Sequence, residues 1–140
     1  RLFMATPLGS TSNKGTGINY TYMRYADVLL MYAEAANELA AVPTQDALDA
    51  LNAVRTNAGL EGKTLAELST KTLFRQAVYK ERRLELALEC DRWFDIVRTG
   101  QMAAIFPGID AYRQLYPVPQ TEIENVNDKA GWQNEGYALE

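Results

Sequence analysis

Apolar residues recur at helical spacing from Tyr22 onward, with the polar positions confined to narrow stripes. Between Tyr22 and Ala41, nearly every residue outside one polar stripe is apolar or alanine. This pattern predicts an amphipathic helix over about 22–41, whose alanines would let a neighbouring helix approach closely. The polar stripe of this helix consists of Arg24, Asp27, Glu34 and Glu38.

A second helix is predicted over about 44–57. Pro43 interrupts the first helix, and the hydroxyl of Thr44 can cap the next one by accepting a hydrogen bond from a free backbone N–H. Apolar residues then recur on one face until Gly59, which is typical of a helix terminus. Two helices joined by such a short turn form an αα-hairpin of the size found in tetratricopeptide repeats.

The longest remaining stripe predicts a helix over about 72–89, a bend at Cys90-Asp91, and a shorter helix over about 91–99 closed by Gly100. No stretch of the chain forms a credible sheet, so the predicted fold class is mainly α. The stripe of the long helix consists of Leu73, Phe74, Ala77, Val78, Leu84 and Leu88.

The other segments predict little regular structure. Residues 1–19 contain a Gly/Ser/Thr/Asn-rich tract that predicts a loop, and its GxG lacks the strand and helix of a phosphate-binding turn. Short helices are predicted over 64–68 and 121–125. The Pro- and aromatic-rich C-terminal third otherwise predicts irregular structure covering the helices, so residues 1–140 are interpreted as a single domain.

Composition excludes several classes of protein. A net charge of −4 argues against nucleic-acid binding, which needs a basic face to neutralise phosphates. The longest apolar run, Val28–Ala33, is too short to suggest a membrane span. A lone cysteine, Cys90, rules out an internal disulfide framework and a Cys-based zinc site. The chain begins at Arg1 without a signal peptide, and we expect it to be a piece of a longer or processed protein.

Catalytic chemistry has few candidates. The chain has no histidine, which removes Ser-His and Cys-His nucleophile pairs and most catalytic zinc sites. Neither a histidine nor a helix N-terminus clearly activates the Cys90 thiol, so we interpret it as a half-buried structural residue rather than a nucleophile. We therefore predict no cofactor and no metal site.

Glu81 and Glu85 are the exception, because they lie on or beside the apolar stripe of the long helix. At i, i+4 spacing their carboxylates would be about 5–6 Å apart, which overlaps the spacing in retaining glycosidases. The alternative is structural, since buried carboxylates pair well with arginines. For Glu81 the expected donors are Arg24, Arg92 and Arg98, because Arg82 and Arg83 project to other faces. The predicted ion-pair framework contains Arg24, Glu81, Glu85, Arg92, Asp95 and Arg98.

Aromatic residues in the predicted loops offer a second kind of site. Sugars bind proteins through ring faces, and loop aromatics could supply such platforms. The same residues could instead pin irregular segments onto the helices. Candidates for glycan contact are Tyr20, Tyr112 and Trp132, with Tyr116 and Tyr137 in the same loops. Glu67, by contrast, is predicted to be exposed and energetically neutral.

Five segments together resemble the motifs of SusD/RagB-like proteins, in the order in which the family carries them. They cover the chain from about 20 to 137. At the bend, Cys90-Asp91 stands where the family pattern has Gly-His. The segments are RYADVLLMYAEA (24–35), LNAVRTNAGL (51–60), ERRLELALE with RWFDIVRTG (81–89 and 92–100), YPVPQ (116–120) and QNEGY (133–137).

The resemblance implies the C-terminal portion of an outer-membrane lipoprotein exposed at the surface of a Gram-negative bacterium. Such proteins bind oligosaccharides without catalysis and deliver them to a TonB-dependent transporter of the SusC type. Their lipid anchor lies in an N-terminal portion that this chain lacks, and their sugar-contacting residues vary, so none is carried over. The alternative interpretation is a helical-repeat scaffold that binds another protein, supported by the small-residue hairpin.

Overall fold

Helices dominate the protein. The computed structural model describes residues 21–126 and 131–137, so the predicted loop over 1–19 and Tyr20 lie outside the described residues. No strand occurs in these two ranges, and the prediction of a mainly α, tetratricopeptide-like fold is confirmed. The helices are α1 (Tyr25–Leu39), α2 (Gln45–Asn57), α3 (Lys71–Glu85), α4 (Arg92–Arg98), α5 (Met102–Ile105) and α6 (Gln120–Glu124), with a 3-10 turn at Ala111–Gln114.

The hairpin of α1 and α2 forms as its sequence signals indicate. The hydroxyl of Thr44 accepts a hydrogen bond from the backbone N–H of Ala47 at 3.3 Å, which caps α2. Beyond the other end of α2, Gly59 adopts a φ of +78°, a conformation that glycine reaches without steric cost. Both helices then pack against α3.

The hydrophobic core lies where α1, α2 and α3 meet. Phe74 and Val78 of α3 are fully buried, as are Leu30 and Ala33 of α1. Burying a side chain of this kind contributes roughly 1.5–3 kcal/mol relative to leaving it exposed. The remaining buried members of the cluster are Ala47, Leu48, Ala50, Leu51 and Val54 of α2, with Leu68 from the connection to α3.

α3 ends one turn earlier than predicted. Its last helical residue is Glu85, and the chain then turns through Leu88 and Cys90, which both have positive φ, at 69° and 71°. Leu88 therefore lies beyond the helix and is 88% exposed, and Leu84, although still within α3, is 57% exposed, so neither belongs to the buried stripe. Leu86 is buried in their place.

Two further expectations from the sequence are wrong. Leu73, assigned to the buried stripe, is 44% exposed in the first turn of α3. Residues 64–68 make only a single turn, in which Thr64 and Glu67 bond reciprocally: the Glu67 carboxylate accepts from the Thr64 backbone N–H at 2.8 Å, and the Thr64 hydroxyl accepts from the Glu67 N–H at 3.3 Å. Glu67 is exposed as predicted, and its reciprocal bonding with Thr64 is that of a capping box, from which we expect a contribution to stability.

The C-terminal third is held together by two of the family-like motifs. The side-chain amide of Gln133 accepts from the Val118 N–H at 2.8 Å and donates to the Val118 carbonyl at 3.3 Å. Asn134 donates to the Tyr116 carbonyl at 2.6 Å, and the Tyr137 hydroxyl donates to the Leu115 carbonyl at 2.8 Å. The two segments are distant in sequence and fix each other in space.

Candidate functional site

A continuous chain of ion pairs joins α1, α3 and α4. Arg82 donates to Asp27 at 2.6 Å and, through Nε, to Asp95 at 2.9 Å. The other carboxylate oxygen of Asp95 accepts from Arg98 at 2.8 Å. Arg98 also binds both oxygens of Glu34, at 2.7 and 2.8 Å. We call these five residues the inter-helix network.

Arg82 lies at the centre of the inter-helix network and is only 6% exposed. Its position in the sequence predicts another face of the helix, and the predicted framework does not contain it. Burial by itself lowers the pKa of Arg82, but the hydrogen bonds from its guanidinium to Asp95 and Asp27 outweigh burial, and the pKa is raised overall. The side chain is therefore a fully charged, paired group inside the protein.

A separate ion-pair cluster closes the junction between α1 and the end of α3. Arg24, just before α1, donates to the Glu85 carboxylate at 2.8 Å and to the Glu85 carbonyl oxygen, also at 2.8 Å. Its Nε donates to Glu89 at 2.9 Å. Hydrogen bonds to Glu89 and Glu85 raise the pKa of Arg24. The residues around the turn are therefore tied to α1 even though the helix has ended.

Glu81 is 3% exposed and binds Arg55 of α2 at 2.7 Å. The expected donors, Arg24, Arg92 and Arg98, were wrong because two of them bind other carboxylates and α2 covers this part of α3. Arg55 also donates to the Glu61 carbonyl oxygen at 3.1 Å. Arg55 thus fastens both α3 and the connecting loop to α2.

The geometry does not support acid–base catalysis by the two glutamates. Glu81 is buried against its arginine, and the Glu85 carboxylate is bound by Arg24. A glycosidase would need both carboxylates open to a cleft that admits the sugar. No cluster of metal-ligating side chains occurs among the residues that the structure describes.

The loop aromatics divide into packed and exposed side chains. The rings of Tyr112 and Tyr137 are perpendicular, with 5.0 Å between centroids, and a Cβ at Gly136 would overlap the Tyr112 ring. One side of Tyr112 is therefore occupied by backbone. Trp132, in contrast, is 53% exposed. Tyr116, whose ring centroid lies 6.2 Å from that of Trp93, is also exposed.

Arg92 has no carboxylate partner among the described residues, in contrast to its assignment to the predicted framework. It lines a pocket of about 250 Å³ between α3, α4 and α5. A second hollow of about 430 Å³ lies between α1 and α2 beside Arg24 and Tyr25. None of the helices in the described ranges is long and apolar enough to span a membrane.

Comparison with known proteins identifies the class to which this helical arrangement belongs. The profile of the SusD family matches residues 1–113. SusD-like protein P2 of Formosa agariphila is 33% identical over 144 aligned residues, which cover 93% of this chain, and SusD-like protein P25 of the same organism is 38% identical over 79% of the chain. A solved SusD homolog from Bacteroides thetaiotaomicron superposes with a TM-score of 0.61 at 28% identity, over 90% of this chain.

The chain belongs to the SusD family. It spans 28% and 20% of the lengths of the two Formosa relatives and 30% of the Bacteroides homolog. SusD family proteins are non-catalytic carbohydrate-binding proteins, in agreement with the prediction that the chain is not an enzyme. The family is typically associated with the outer membrane and has a general role in nutrient uptake.

Proposed function

We propose that the protein containing this chain binds oligosaccharides for uptake across the outer membrane of a Gram-negative bacterium. The observation that carries the proposal is the SusD family match over residues 1–113, together with a likeness to a solved SusD homolog. The carboxylates of Glu81 and Glu85 are both bound by arginines. This supports binding without catalysis, because neither carboxylate is free to act on a substrate.

The proposed partner is a TonB-dependent transporter of the SusC type, to which the bound glycan is delivered. The proposed location is the cell surface, where a lipid anchor outside this chain holds the protein to the outer membrane. Family membership supports both statements at the level of the class.

Among the loop aromatics, Trp132 is the side chain we propose for glycan contact. It is 53% exposed in a described loop, whereas Tyr112 is packed against Gly136 and Tyr137. Stacking of a sugar on an indole ring would use surface that is now open to water. Tyr20 remains a candidate on its sequence position alone.

The test uses the complete protein rather than this chain. A glycan array followed by titration calorimetry should find an oligosaccharide that binds without being hydrolysed, and co-purification from membranes should recover a TonB-dependent transporter. Trp132→Ala should weaken binding of the selected glycan, whereas Phe94→Ala, which removes an exposed aromatic side chain of α4, should leave the affinity unchanged. Hydrolysis of the glycan that is lost in Glu85→Gln would contradict the proposal.

A protein-interaction scaffold is the second candidate, and one observation favours it. α1 exposes large apolar side chains along the face that points away from the core, including Tyr25 at 76% and Leu39 at 90% exposure. Exposed apolar patches of this kind commonly mark contact surfaces. If the complete protein co-purifies with the transporter and binds no sugar on the array, the scaffold interpretation replaces glycan binding.

A further inference from the structure

The pocket between α3, α4 and α5 is basic. Three cationic side chains line it, and no carboxylate from the described residues does. We call it the basic pocket. Its lining consists of Lys80, Arg83 and Arg92, two amides, Gln76 and Gln101, and the side chains of Tyr79 and Ile105.

These three cations differ from the other cations of the described residues. Lys71 binds the carbonyl oxygen of Glu38, and the remaining seven all lie in ion pairs with carboxylates. Those seven are Arg24, Arg55, Lys63, Arg75, Arg82, Arg98 and Arg113. In a chain of net charge −4, carboxylates are plentiful, yet none in the described ranges reaches the basic pocket.

Unpaired cations gathered in one hollow create a positive potential that favours an anion. The guanidinium groups of Arg83 and Arg92 can each bind a carboxylate or a sulfate through two parallel N–H bonds. The side chain of Tyr79 gives the pocket an aromatic wall, and the amides of Gln76 and Gln101 are groups that can hydrogen-bond hydroxyls. A charged sugar presents all of these features together: an anionic group, hydroxyls and an apolar ring face.

We propose that the basic pocket binds the anionic group of an acidic saccharide, a carboxylate or a sulfate ester. The inference rests on the proposed glycan-binding function and names the class of glycan. The pocket measures about 250 Å³, less than the roughly 300–1,000 Å³ of pockets that enclose a drug-sized ligand. It therefore takes one charged sugar residue, and the rest of the oligosaccharide lies outside it.

The experiment measures binding of matched glycan pairs to the complete protein. The probes are a galacturonate oligomer against its methyl ester, and a sulfated galactan oligomer against its desulfated form. We expect the charged member of at least one pair to bind more tightly, with an affinity that falls between 50 and 500 mM NaCl because salt screens the attraction. The pair that shows the preference distinguishes a carboxylate from a sulfate.

Variants place the preference in the basic pocket. Because a hydrogen bond to a charged group contributes about 1.5–3 kcal/mol, Arg83→Gln/Arg92→Gln should weaken binding of the charged probe by at least about tenfold. The same double variant should bind the neutral probe with unchanged affinity. Arg113→Gln is the control, since it removes a charge from an exposed side chain outside the pocket. A thermal midpoint within a few degrees of the unmodified protein shows that the double variant is folded.

Three results would overturn the inference without overturning the proposed function. Neutral glycans bound as tightly as charged ones would leave the proposed function intact and remove the anionic class. If the double variant still preferred the charged glycan to the same extent, the anionic group would bind outside the basic pocket. A structure of the complete protein with a carboxylate from another segment bound to Arg83 and Arg92 would show that the pocket is filled from within. If no glycan binds at all, the proposed function fails as well.

Discussion

The Nε of Arg82 lies 2.9 Å from Oδ2 of Asp95, and both residues are more than nine-tenths buried. Taking two charges out of water is costly, and their attraction offsets the cost only when every polar atom finds a partner. Here Asp27 accepts a hydrogen bond from another guanidinium nitrogen of Arg82, and Arg98 donates one to the other oxygen of Asp95. The pair therefore joins α3 to α4 as part of a larger set.

Loss of the buried arginine should strongly destabilise the protein. Arg82→Ala leaves Oδ2 of the buried Asp95 carboxylate without its partner and removes the arginine bound to Asp27, and we expect the free energy of unfolding to fall by about 3–5 kcal/mol. Urea denaturation followed by circular dichroism measures the change. Arg75→Ala is the control, because the side chains of its ion pair with Glu38 are 35% and 40% exposed, far more than those of Arg82 and Asp95. Similar midpoints for the two variants would show that burial of Arg82 does not matter.

Glu81 should behave in the same way through a different partner. Glu81→Ala leaves the Arg55 guanidinium without its carboxylate in a region that is mostly buried, for an expected loss of about 3–5 kcal/mol. The thermal midpoint should fall clearly, while that of Glu135→Ala, an exposed glutamate, should stay the same. If Arg55→Ala and Glu81→Ala had additive effects in a double-mutant cycle, the two side chains would not be coupled.

Cys90 should accept glycine with a gain in stability. Its φ of +71° places Cβ close to the following carbonyl oxygen, a strain of roughly 1–2 kcal/mol for a residue other than glycine. Glycine removes that strain, but it also adds conformational freedom to the unfolded chain, which lowers stability by roughly 0.5–1 kcal/mol. We expect Cys90→Gly to raise the thermal midpoint. Cys90→Ala removes the thiol and keeps the strain, so a rise in the alanine variant would point to the thiol instead.

The capping box at Thr64 should show itself in the pH dependence of stability. The hydrogen bond from Lys63, followed by those from the Thr64 N–H and hydroxyl, lowers the pKa of Glu67 to about 2. A lowered pKa in the folded state stabilises the protein above the ordinary value of 4.5, and that contribution is lost as the pH falls from 4.5 towards 2.

Comparison with Glu67→Gln tests this directly. The unmodified protein should have the higher urea midpoint at pH 6, and the difference should shrink as the pH approaches 2. A difference that stays constant across this range would mean that the ionised carboxylate is not the stabilising group. The neutral behaviour expected from the sequence would give no difference at any pH.

The sequence predicted the hairpin well because local signals mark its ends. Pro43, Thr44 and Gly59 each act on the backbone beside them, so their effect does not depend on distant residues. The end of α3 lacks such a signal. Leu88 and Cys90 adopt positive φ, which neither side chain favours, and only the surrounding structure imposes it.

Ion-pair partners were harder to predict than the helices. The sequence indicated that Glu81 would be buried. Its partner Arg55 lies on another helix, and which faces of α2 and α3 pack together depends on the tertiary structure, which local sequence signals do not reveal. The polar stripe of α1 contained usable information, since Asp27 and Glu34 both bind arginines of α3 or α4. Matching that stripe to the arginines after Lys80 could have found Arg82 and Arg98 as its partners.

α4 is too short to persist as a helix by itself, since isolated helices of fewer than about 12 residues are marginal in water. Ion pairs of Asp95 with Arg82 and of Arg98 with Glu34 attach α4 to α3 and α1. Arg92, on the same helix, lines the basic pocket instead. Attachment of α4 to the other helices and the proposed binding of an anion thus depend on different side chains of a two-turn helix. A substitution at position 92 is therefore expected to alter the basic pocket without loosening the attachment of α4 to α1 and α3.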